Sequence, residues 1–392
     1  MAKENEIKTV VPALRFPEFQ DTEGWKEYKL KNLCEIGNGK DYKHLSSGNI
    51  PLYGSGGYMT SVDDFLYDGE SVCIGRKGTI DKPIFLTGKF WTVDTLFYTH
   101  SFNNCLPKFL YLIFQKINWY KYNEAGGIPS LSKTTIGEIN VFAPVGKKGE
   151  LKEQQKIADC LSSLDELIEA TTQKVETLKE HKKGLMQRLF PAEGKNAPDL
   201  RFPEFQGTSV WESTLLGAVV DYENGRAHEN EIDEEGNFIV VNSKFISTDG
   251  EVVKRTNTPY CLADKEDILM VLSDVPNGRA IAKCFFVDQS GKYTVNQRIC
   301  RLRSKNINSK LLFYLINRNP YFLSFDDGVK QTNLKKNEVL ECPLMIPSSP
   351  IKQQKIADLL SSIDDLIIAT GQRIKSLKEH KKGLMQQLFP KI

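Results

Sequence analysis

The chain carries the same segment of sequence twice. Residues 153–191 match 352–390 at an offset of 199, with 28 of 39 positions identical. A shorter match, RFPEFQ at 15–20 and at 201–206, has an offset of 186. Between these markers the two halves hardly resemble each other. Self-similarity of this kind predicts two equivalent halves, each made of a divergent insert followed by a near-invariant segment.

The invariant segment has the apolar periodicity of a long helix. Its apolar residues recur at alternating spacings of four and three, which is the heptad pattern of a coiled coil. Thr171 and Lys182 fill two of the positions, and Thr370 and Lys381 fill the same two in the second copy. The other positions are Ile157, Leu161, Leu164, Ile168, Val175, Leu178, Leu185 and Leu189, and then Ile356, Leu360, Ile363, Ile367, Ile374, Leu377, Leu384 and Leu388.

The ends of both helices have sequence signals, and their charges favour one orientation. Pro191 and Pro390 predict where the helices stop, and Ser349-Pro350 predicts an N-cap followed by the first helical residue of the second copy. Acidic residues dominate the first half of each segment and basic residues the second half. Antiparallel packing sets acidic halves against basic halves, so we expect two antiparallel helices. A helix of ~38 residues is roughly 57 Å long, which suits a spacer.

The inserts have the composition of mixed α+β domains. Strand-like runs occur at 71–74, 83–86, 238–241 and 267–272, bounded by glycines. Short apolar helices are predicted at Lys108–Ile117 and Lys310–Asn317, at matching places in the two halves. Each insert is long enough to form a core of its own.

Composition bounds the class of protein. Of 392 residues 40% are hydrophobic and 26% charged, and the net charge is only +2, so a nucleic-acid site would have to be a local patch. The eight cysteines are never closer than 16 residues, which excludes a CxxC motif and predicts reduced thiols in a cytoplasmic protein. The acidic N-terminus is not typical of a signal peptide, and no apolar run is long enough to span a membrane.

Sequence motifs of catalysis are missing. The chain has no GxxxxGK[ST] loop, GxGxxG, GxSxG or HExxH, and it has no Pro-Pro dipeptide of the kind found in amino-group DNA methylases. His181 and His380 lie among lysines in the repeated helix, where a solvated face is expected. We therefore expect no catalytic residue and no metal site, although an enzyme without a known motif remains an alternative.

Glycine-flanked polar loops occur at equivalent places in both inserts. Glycine allows the backbone to approach a phosphate, and arginine can bind guanine with two hydrogen bonds. A solvated turn is the alternative for any one loop, but recurrence in both halves favours DNA contact. The candidate residues are Lys40, Lys43, His44, Tyr53, Arg76, Lys77, Ser132 and Lys133 in the first insert and Arg226, Asn277, Arg279, Asn296, Arg298, Lys330 and Asn333 in the second.

These features together resemble a type I restriction–modification specificity subunit, over essentially the whole chain. The resemblance is carried by the QQKIADxLSSxDxLI beginning and the LKEHKKGLMQxLFP end of each repeated helix. In the first insert it is also carried by IGRKGT at 74–79 and FWTVDT at 90–95, both of which the second insert lacks.

The resemblance implies the architecture and the partners. It implies two α/β target-recognition domains (1–149 and 192–350) separated by two long antiparallel coiled-coil helices (150–191 and 351–392), in an α+β, pseudo-two-fold arrangement. It also implies a non-catalytic subunit that binds a bipartite double-stranded DNA target, two methyltransferase (modification) subunits and motor-nuclease (restriction) subunits. S-adenosylmethionine, ATP and Mg would be cofactors of those partners, with none in this chain.

A second apolar face on the repeated helix predicts where a partner docks. Apolar residues lie off the heptad positions at the same places in both copies, and a glycine inside a helix costs about 1 kcal/mol, which suggests close approach by another chain. Packing on the chain's own inserts is the alternative. The residues are Leu167, Gly184, Met186 and Phe190, and Leu366, Gly383, Met385 and Phe389.

Three interpretations of the function differ in class. A specificity subunit reads two different half-sites at a fixed spacing, whereas a coiled-coil scaffold would bind only protein partners and needs no glycine-basic loops. An enzyme in its own right would transfer methyl groups or cleave DNA without partners. The sequence favours the DNA-reading subunit.

Overall fold

The computed structural model describes residues 9–144, 150–192, 194–207, 211–275 and 278–391. These residues form two compact units. Unit 1 comprises Met1–Gln173 and Gly371–Ile392, and unit 2 comprises Lys174–Thr370. Each unit therefore contains one insert and part of each repeated helix.

Unit 1 contains three antiparallel or mixed sheets, with strand orders β1-β2-β11, β3-β10-β7-β8 and β5-β4-β9-β6. Its helical segments include three short 3₁₀ turns at Pro17–Phe19, Leu30–Asn32 and Trp119–Tyr122. The strands are β1 (Thr9–Val10), β2 (Trp25–Lys29), β3 (Glu35–Asn38), β4 (Ser47–Gly54), β5 (Gly57–Val62), β6 (Tyr67–Asp68), β7 (Ser71–Gly75), β8 (Ile84–Leu86), β9 (Lys89–Thr92), β10 (Leu96–His100) and β11 (Asn140–Ala143). The helices are α1 (Pro107–Lys116), α2 (Lys133–Gly137) and the first part of α3 (Glu150–Leu189).

Unit 2 has a closely similar set of sheets, with strand orders β12-β23, β13-β21-β17-β19 and β15-β14-β20-β16 and an added pair β18-β22. Its strands are β12 (Trp211–Leu215), β13 (Val220–Asn224), β14 (Phe238–Val241), β15 (Arg255–Thr256), β16 (Leu262–Ala263), β17 (Ile268–Val271), β18 (Ser273–Asp274), β19 (Cys284–Phe286), β20 (Tyr293–Val295), β21 (Ile299–Ser304), β22 (Thr332–Asn333) and β23 (Pro343–Pro347). Its helical segments are the 3₁₀ turn Pro203–Phe205, α4 (Leu216–Val219), α5 (Ser243–Ser247), α6 (Ser309–Ile316), α7 (Pro320–Leu323), α8 (Lys336–Leu340) and the first part of α9 (Pro350–Leu388).

Both inserts share an unusual parallel strand pair inside otherwise antiparallel pairing. In unit 1, β4 runs parallel to β9, with Tyr53 opposite Thr92. In unit 2, β14 runs parallel to β20, with Val241 opposite Val295. The two inserts therefore share this pairing although their sequences have diverged, and the equivalent strands β7 and β17 are buried along their whole length in both.

The predicted strands and short helices are found within one or two residues of their expected bounds. The run expected at 267–272 is β17, for example, and the helix expected at Lys310–Asn317 is α6. α1 buries Phe109, Leu110 and Phe114 against the sheets of unit 1. All eight cysteines are free, and seven of them are buried.

The heptad positions of the two long helices form an apolar stripe that is covered in the folded chain. Every heptad position from Ile157 to Leu189 and from Ile356 to Leu388 is buried or half-buried. In unit 1, Ile157 and Leu161 share a core with Leu388, while Asp165 pairs with Lys381. The two helix segments of that unit therefore run antiparallel, which is the orientation that the charge pattern favours.

Candidate nucleic-acid interface

In unit 1, one short segment gathers three of the predicted loops. This segment, Thr92–Thr95, is bound by main-chain hydrogen bonds. Lys40 N donates to Thr92 O at 2.9 Å, Val93 N donates to Tyr53 O at 3.0 Å, and Arg76 N donates to Thr95 O at 2.8 Å. The loops that carry Lys40, Tyr53 and Arg76 therefore meet at this one backbone segment, the frame of unit 1.

The basic tip that follows β7, residues 75–79, is hydrogen-bonded to the loop that precedes α2. Gly78 N donates to Pro129 O at 2.9 Å, and Leu131 N donates to Arg76 O at 2.8 Å. A Cβ at Gly75 would lie 1.9 Å from Thr79 O, so only glycine allows the tip to fold this tightly. The side chains of Arg76 and Lys77 are left exposed, and Arg76 makes one long bond (3.3 Å) to Asp94 O. This tip presents two cations to solvent.

The other predicted residues of the first insert differ in availability. Lys40, Lys43, His44 and Lys133 are exposed. The His44 ring meets the edge of Trp91 at 5.8 Å between centroids, and Tyr53, half-buried, packs against Tyr58 at 6.0 Å. Ser132 caps α2 by accepting from Thr135 N at 3.1 Å and donates to Glu124, so its hydroxyl is already used within the loop.

Unit 2 has a frame with the same hydrogen bonds. It is the segment Val295–Arg298. Arg226 N donates to Val295 O at 2.9 Å, Asn296 N donates to Val241 O at 3.0 Å, and Leu272 N donates to Arg298 O at 2.9 Å. The candidate residues Arg226, Asn296 and Arg298 are thereby brought together. The frame also places different side chains at positions equivalent to those of unit 1.

A repeated dipeptide that the sequence analysis missed secures both frames. Asn38-Gly39 and Asn224-Gly225 lie 186 residues apart, the offset of the RFPEFQ repeat, and each is followed by a basic residue. A Cβ at Gly39 would lie 1.9 Å from Val93 O, and one at Gly225 would lie 2.1 Å from Asn296 O. Glycine is required at both positions because the backbone of the frame passes directly beside it.

A cleft of about 440 Å³ opens beside the frame of unit 2. Three cations and one carboxylate line it, together with amide side chains, a set that suits phosphates and base edges. Of its lining residues, Asn296 and Arg298 were predicted, whereas the amides Asn242 and Gln297 and the cations Lys244 and Lys254 were not. Their signal was weak, because Asn242 and Lys244 belong to the start of the short helix α5 and only the fold brings these four residues beside Asn296 and Arg298.

His228 also lines this cleft but adds no charge to it. It is 1% exposed, and its Nε2 lies 3.1 Å from Thr294 Oγ1. Burial lowers the pKa of the imidazole, so the ring is neutral at pH 7. The positive charge of the cleft comes from Lys244, Lys254 and Arg298.

A separate pair of loops in unit 2 holds the remaining candidates. β18 pairs with β22, so the Arg279 tip and the loop with Lys330 and Asn333 are neighbours. Asp274 closes the tip by accepting from Ala280 N at 2.6 Å. Arg279, Lys330 and Asn333 are exposed, and Asn277 lies outside the described residues.

The structure corrects part of the predicted partner face on the helices. Met385 and Phe389 are buried in the core of unit 1, at 9% and 3% exposure. Met186 and Phe190 are half-buried against the core around Trp211 in unit 2. Their side chains cover the chain's own inserts, because the apolar turn at the end of each helix meets an insert there.

The rest of the predicted face is open. Leu167 and Leu366, which are repeat equivalents, are 39% and 43% exposed. A Cβ at Gly184 or Gly383 would meet no atom within 4 Å, so packing within this chain does not demand glycine at either position. Leu167 and Leu366 remain as exposed apolar residues on charged helices.

The chain thus consists of two inserts with polar loops on matching frames, each followed by one copy of the repeated helix. A family model described as the type I restriction modification DNA specificity domain matches residues 22–180 and 208–379. The chain belongs to this family. The two matches correspond to the two halves of the internal repeat, so each half contains one copy of the domain.

Relatives and solved structures agree with this assignment. The chain is 26% identical to the type I restriction enzyme MjaVIII specificity subunit of Methanocaldococcus jannaschii, over 98% of this chain and 89% of that protein. It is also 26% identical to the putative MjaX specificity subunit of the same organism, over 99% and 88%. The S subunit of a type I restriction–modification system from M. genitalium has the same fold, with a TM-score of 0.69, 15% identity and coverage of 98% and 100%.

A further solved chain belongs to a study of complex assembly and conformational transition of the type I R-M system. It matches with a TM-score of 0.53 and 13% identity, over 93% of this chain and 97% of that one. In the part of this chain that the structure describes, no helix combines the length and apolar character needed to cross a membrane.

Proposed function

We propose that this chain is the DNA-specificity subunit of a type I restriction–modification complex and that each insert reads one half of an asymmetric, bipartite target. The observation that carries the proposal is the shared frame. Thr92–Thr95 and Val295–Arg298 make the same main-chain hydrogen bonds but present different side chains. Equivalent positions with different chemistry are what two readers of two different sequences need.

The chemistry of each insert suits contact with a duplex. Exposed Arg76 and Lys77 in unit 1, and Arg298 with Asn296 in unit 2, combine cations with groups that bond base edges. Because the net charge of the chain is only +2, these local cations supply the attraction for phosphates. The half-sites should differ, so the composite target should not be palindromic.

Exchange of one insert tests this division of labour. Residues 201–350 would be replaced by the insert of another family member, and methylated adenines would be mapped genome-wide in cells that also carry the partner subunits. We expect one half-site to change while the other half-site and the spacing stay the same. A contiguous target, or a spacing that follows the exchanged insert, would contradict the proposal.

We further propose that the antiparallel coiled coil of α3 and α9 sets the spacing between half-sites. Two readers on one face of B-DNA favour a separation of about 34–36 Å, or 10–10.5 bp. Insertion of one heptad into each helix adds ~10 Å of helix without changing the apolar stripe. The spacing should lengthen and both half-sites should stay the same; an unchanged spacing would overturn this part.

The partners would dock on the exposed part of the helices. We propose that one methyltransferase subunit contacts Leu167 and a second contacts Leu366, since these equivalent leucines are exposed in unit 1 and unit 2. S-adenosylmethionine, ATP and Mg would be bound by the methyltransferase and motor-nuclease subunits. Leu167→Asp with Leu366→Asp should abolish co-purification of the methyltransferase, whereas Val253→Asp, at a site 42% exposed on the second insert, should not.

A scaffold that binds only proteins is the alternative, and direct DNA binding separates the two. The purified chain with its methyltransferase should shift a duplex bearing the mapped target and should lose affinity as salt rises. Equal affinity for target and scrambled duplex, with no salt dependence, would favour the scaffold.

A further inference from the structure

A buried carboxylate organises the junction between insert and helix in unit 1. Glu153 is 3% exposed. It accepts hydrogen bonds from Arg15 Nε at 2.8 Å and from Arg15 Nη2 at 2.7 Å, and Trp25 Nε1 donates to it at 3.2 Å. One acceptor thus satisfies three buried donor groups.

Unit 2 repeats the donors of this junction but replaces the acceptor with a third donor. Arg201 and Trp211 match Arg15 and Trp25 at the offset of 186, and Lys352 stands at the position of Glu153 at the offset of 199. Lys352 is 1% exposed and Trp211 is 2% exposed. The substitution therefore puts an ammonium where unit 1 has a carboxylate.

The donors of unit 2 have no acceptor among the described residues. Lys352 Nζ and Trp211 Nε1 are both buried and make no hydrogen bond there. Lys352 Nζ lies over the Trp211 ring, 5.2 Å from its centre, and over the Phe205 ring at 6.0 Å, so it meets aromatic faces beside the Trp211 side chain. Burial lowers the pKa of Lys352, and the charge of nearby Arg201 lowers it further.

An exposed ion pair near this position keeps its charges in both units. Lys156 pairs with Glu18 at 3.1 Å in unit 1, and the equivalent Lys355 pairs with Glu204 in unit 2. Both are exposed pairs, kept in both copies of the repeat. At the buried position the charge is reversed, and there an ammonium and an indole N–H without a hydrogen-bond acceptor are most unfavourable.

We propose that unit 2 binds a small inorganic anion, of the size of chloride, between Lys352 Nζ and Trp211 Nε1 and within the field of Arg201. The anion takes the part that the Glu153 carboxylate plays in unit 1. Its size follows from the burial of both donors. Its charge follows from the Lys352 ammonium and the Trp211 N–H group, which have no acceptor among the described residues, and from the positive charge of nearby Arg201.

A chloride titration of the full-length protein tests the proposal. Thermal unfolding would be followed at constant ionic strength while chloride replaces gluconate. Binding to the folded state alone should raise Tm with the logarithm of chloride, by roughly 5 °C at a hundredfold excess over Kd. In ¹⁵N spectra the indole signal of Trp211, assigned with Trp211→Phe, should move along the same titration curve.

Lys352→Glu recreates the junction of unit 1 and supplies the acceptor from the protein. Its Tm should no longer depend on chloride, whereas Lys265→Glu, which removes an exposed lysine, should keep the dependence. A rise of Tm that is the same in Lys352→Glu would be a general salt effect and would overturn the proposal. An indole signal of Trp211 that does not move in the wild-type protein would also overturn it, whether or not the variant folds.

Discussion

Lys182 on α3 donates to Asp364 on α9, with Nζ and Oδ1 2.5 Å apart. Its repeat equivalent, Lys381, donates to Asp165 at 2.7 Å. The lysine at a heptad position of each helix therefore pairs with an acid of the other helix. Because the offset of 199 relates both the lysines and the aspartates, one duplicated sequence supplies both halves of both pairs.

The first prediction concerns this pairing. Reversal of one charge, in Lys182→Glu, places two acids together and should lower the unfolding free energy by about 0.5–1 kcal/mol, because the pair is only partly exposed, at 20% and 24%. Lys182→Glu with Asp364→Lys should restore most of it. Urea unfolding of the two single variants and the double variant measures the coupling, and additive losses would show that the pair contributes nothing.

The second prediction concerns the buried junction of unit 1. Glu153→Gln removes the charge opposite Arg15, a residue that is 7% exposed, and should cost about 3–5 kcal/mol. The matched control is Glu18→Gln in the exposed pair with Lys156, for which no measurable loss is expected, because an exposed pair is screened by solvent. Equal losses in the two variants, measured by chemical unfolding, would contradict the role of burial.

The third prediction concerns the tip of unit 1. Arg76→Ala should weaken binding to the target by about 1–3 kcal/mol and relax the preference at one base pair if the guanidinium reads a base. Lys77→Ala should weaken all sequences alike and lower the salt slope by about one if the ammonium binds phosphate. Binding titrations at several salt concentrations separate the two, with Lys174→Ala, exposed on α3, as the control. Unchanged affinity and preference in Arg76→Ala would remove this tip from the interface.

The fourth prediction concerns pH. Burial lowers the pKa of Lys116 to about 8, and its Nζ donates to Phe389 O and Pro390 O at 3.3 and 3.0 Å. Between about pH 8 and about pH 10.5 the unfolded chain binds more protons at this site than the folded protein does, so the folded state gains stability as pH rises. The unfolding free energy of the wild type should therefore rise relative to that of Lys116→Met in that range.

Lys121→Met, which replaces an exposed lysine of the same unit by the same residue, is the matched control for the substitution. A constant difference between wild type and Lys116→Met from pH 7 to about pH 10.5 would mean that Lys116 titrates alike in both states.

The sequence alone predicted the long helices, the positions of several strands and the loops that carry Arg76 and Arg298. Those features are local or periodic, so the chain shows them directly. It did not predict the cleft residues Lys244 and Lys254, because they approach Arg298 only when β14 pairs with β20. Nor did it predict that Met385 is buried by the first insert, far away in sequence.

By itself, the sequence determined the duplicated architecture and the apolar stripe of each helix, because hydrophobic periodicity fixes which face of a helix must be covered. Tertiary structure alone decided which polar residues share a site. Asn38-Gly39 and Asn224-Gly225 are short matches of little weight in the sequence, yet each glycine allows its frame to close. Glu153 and Lys352 occupy the same position of the repeat. Because the fold buries both side chains, this single substitution reverses a charge in the interior. The physical reason is that hydrogen bonding and burial depend on neighbours distant in the chain, and only the folded backbone brings them together.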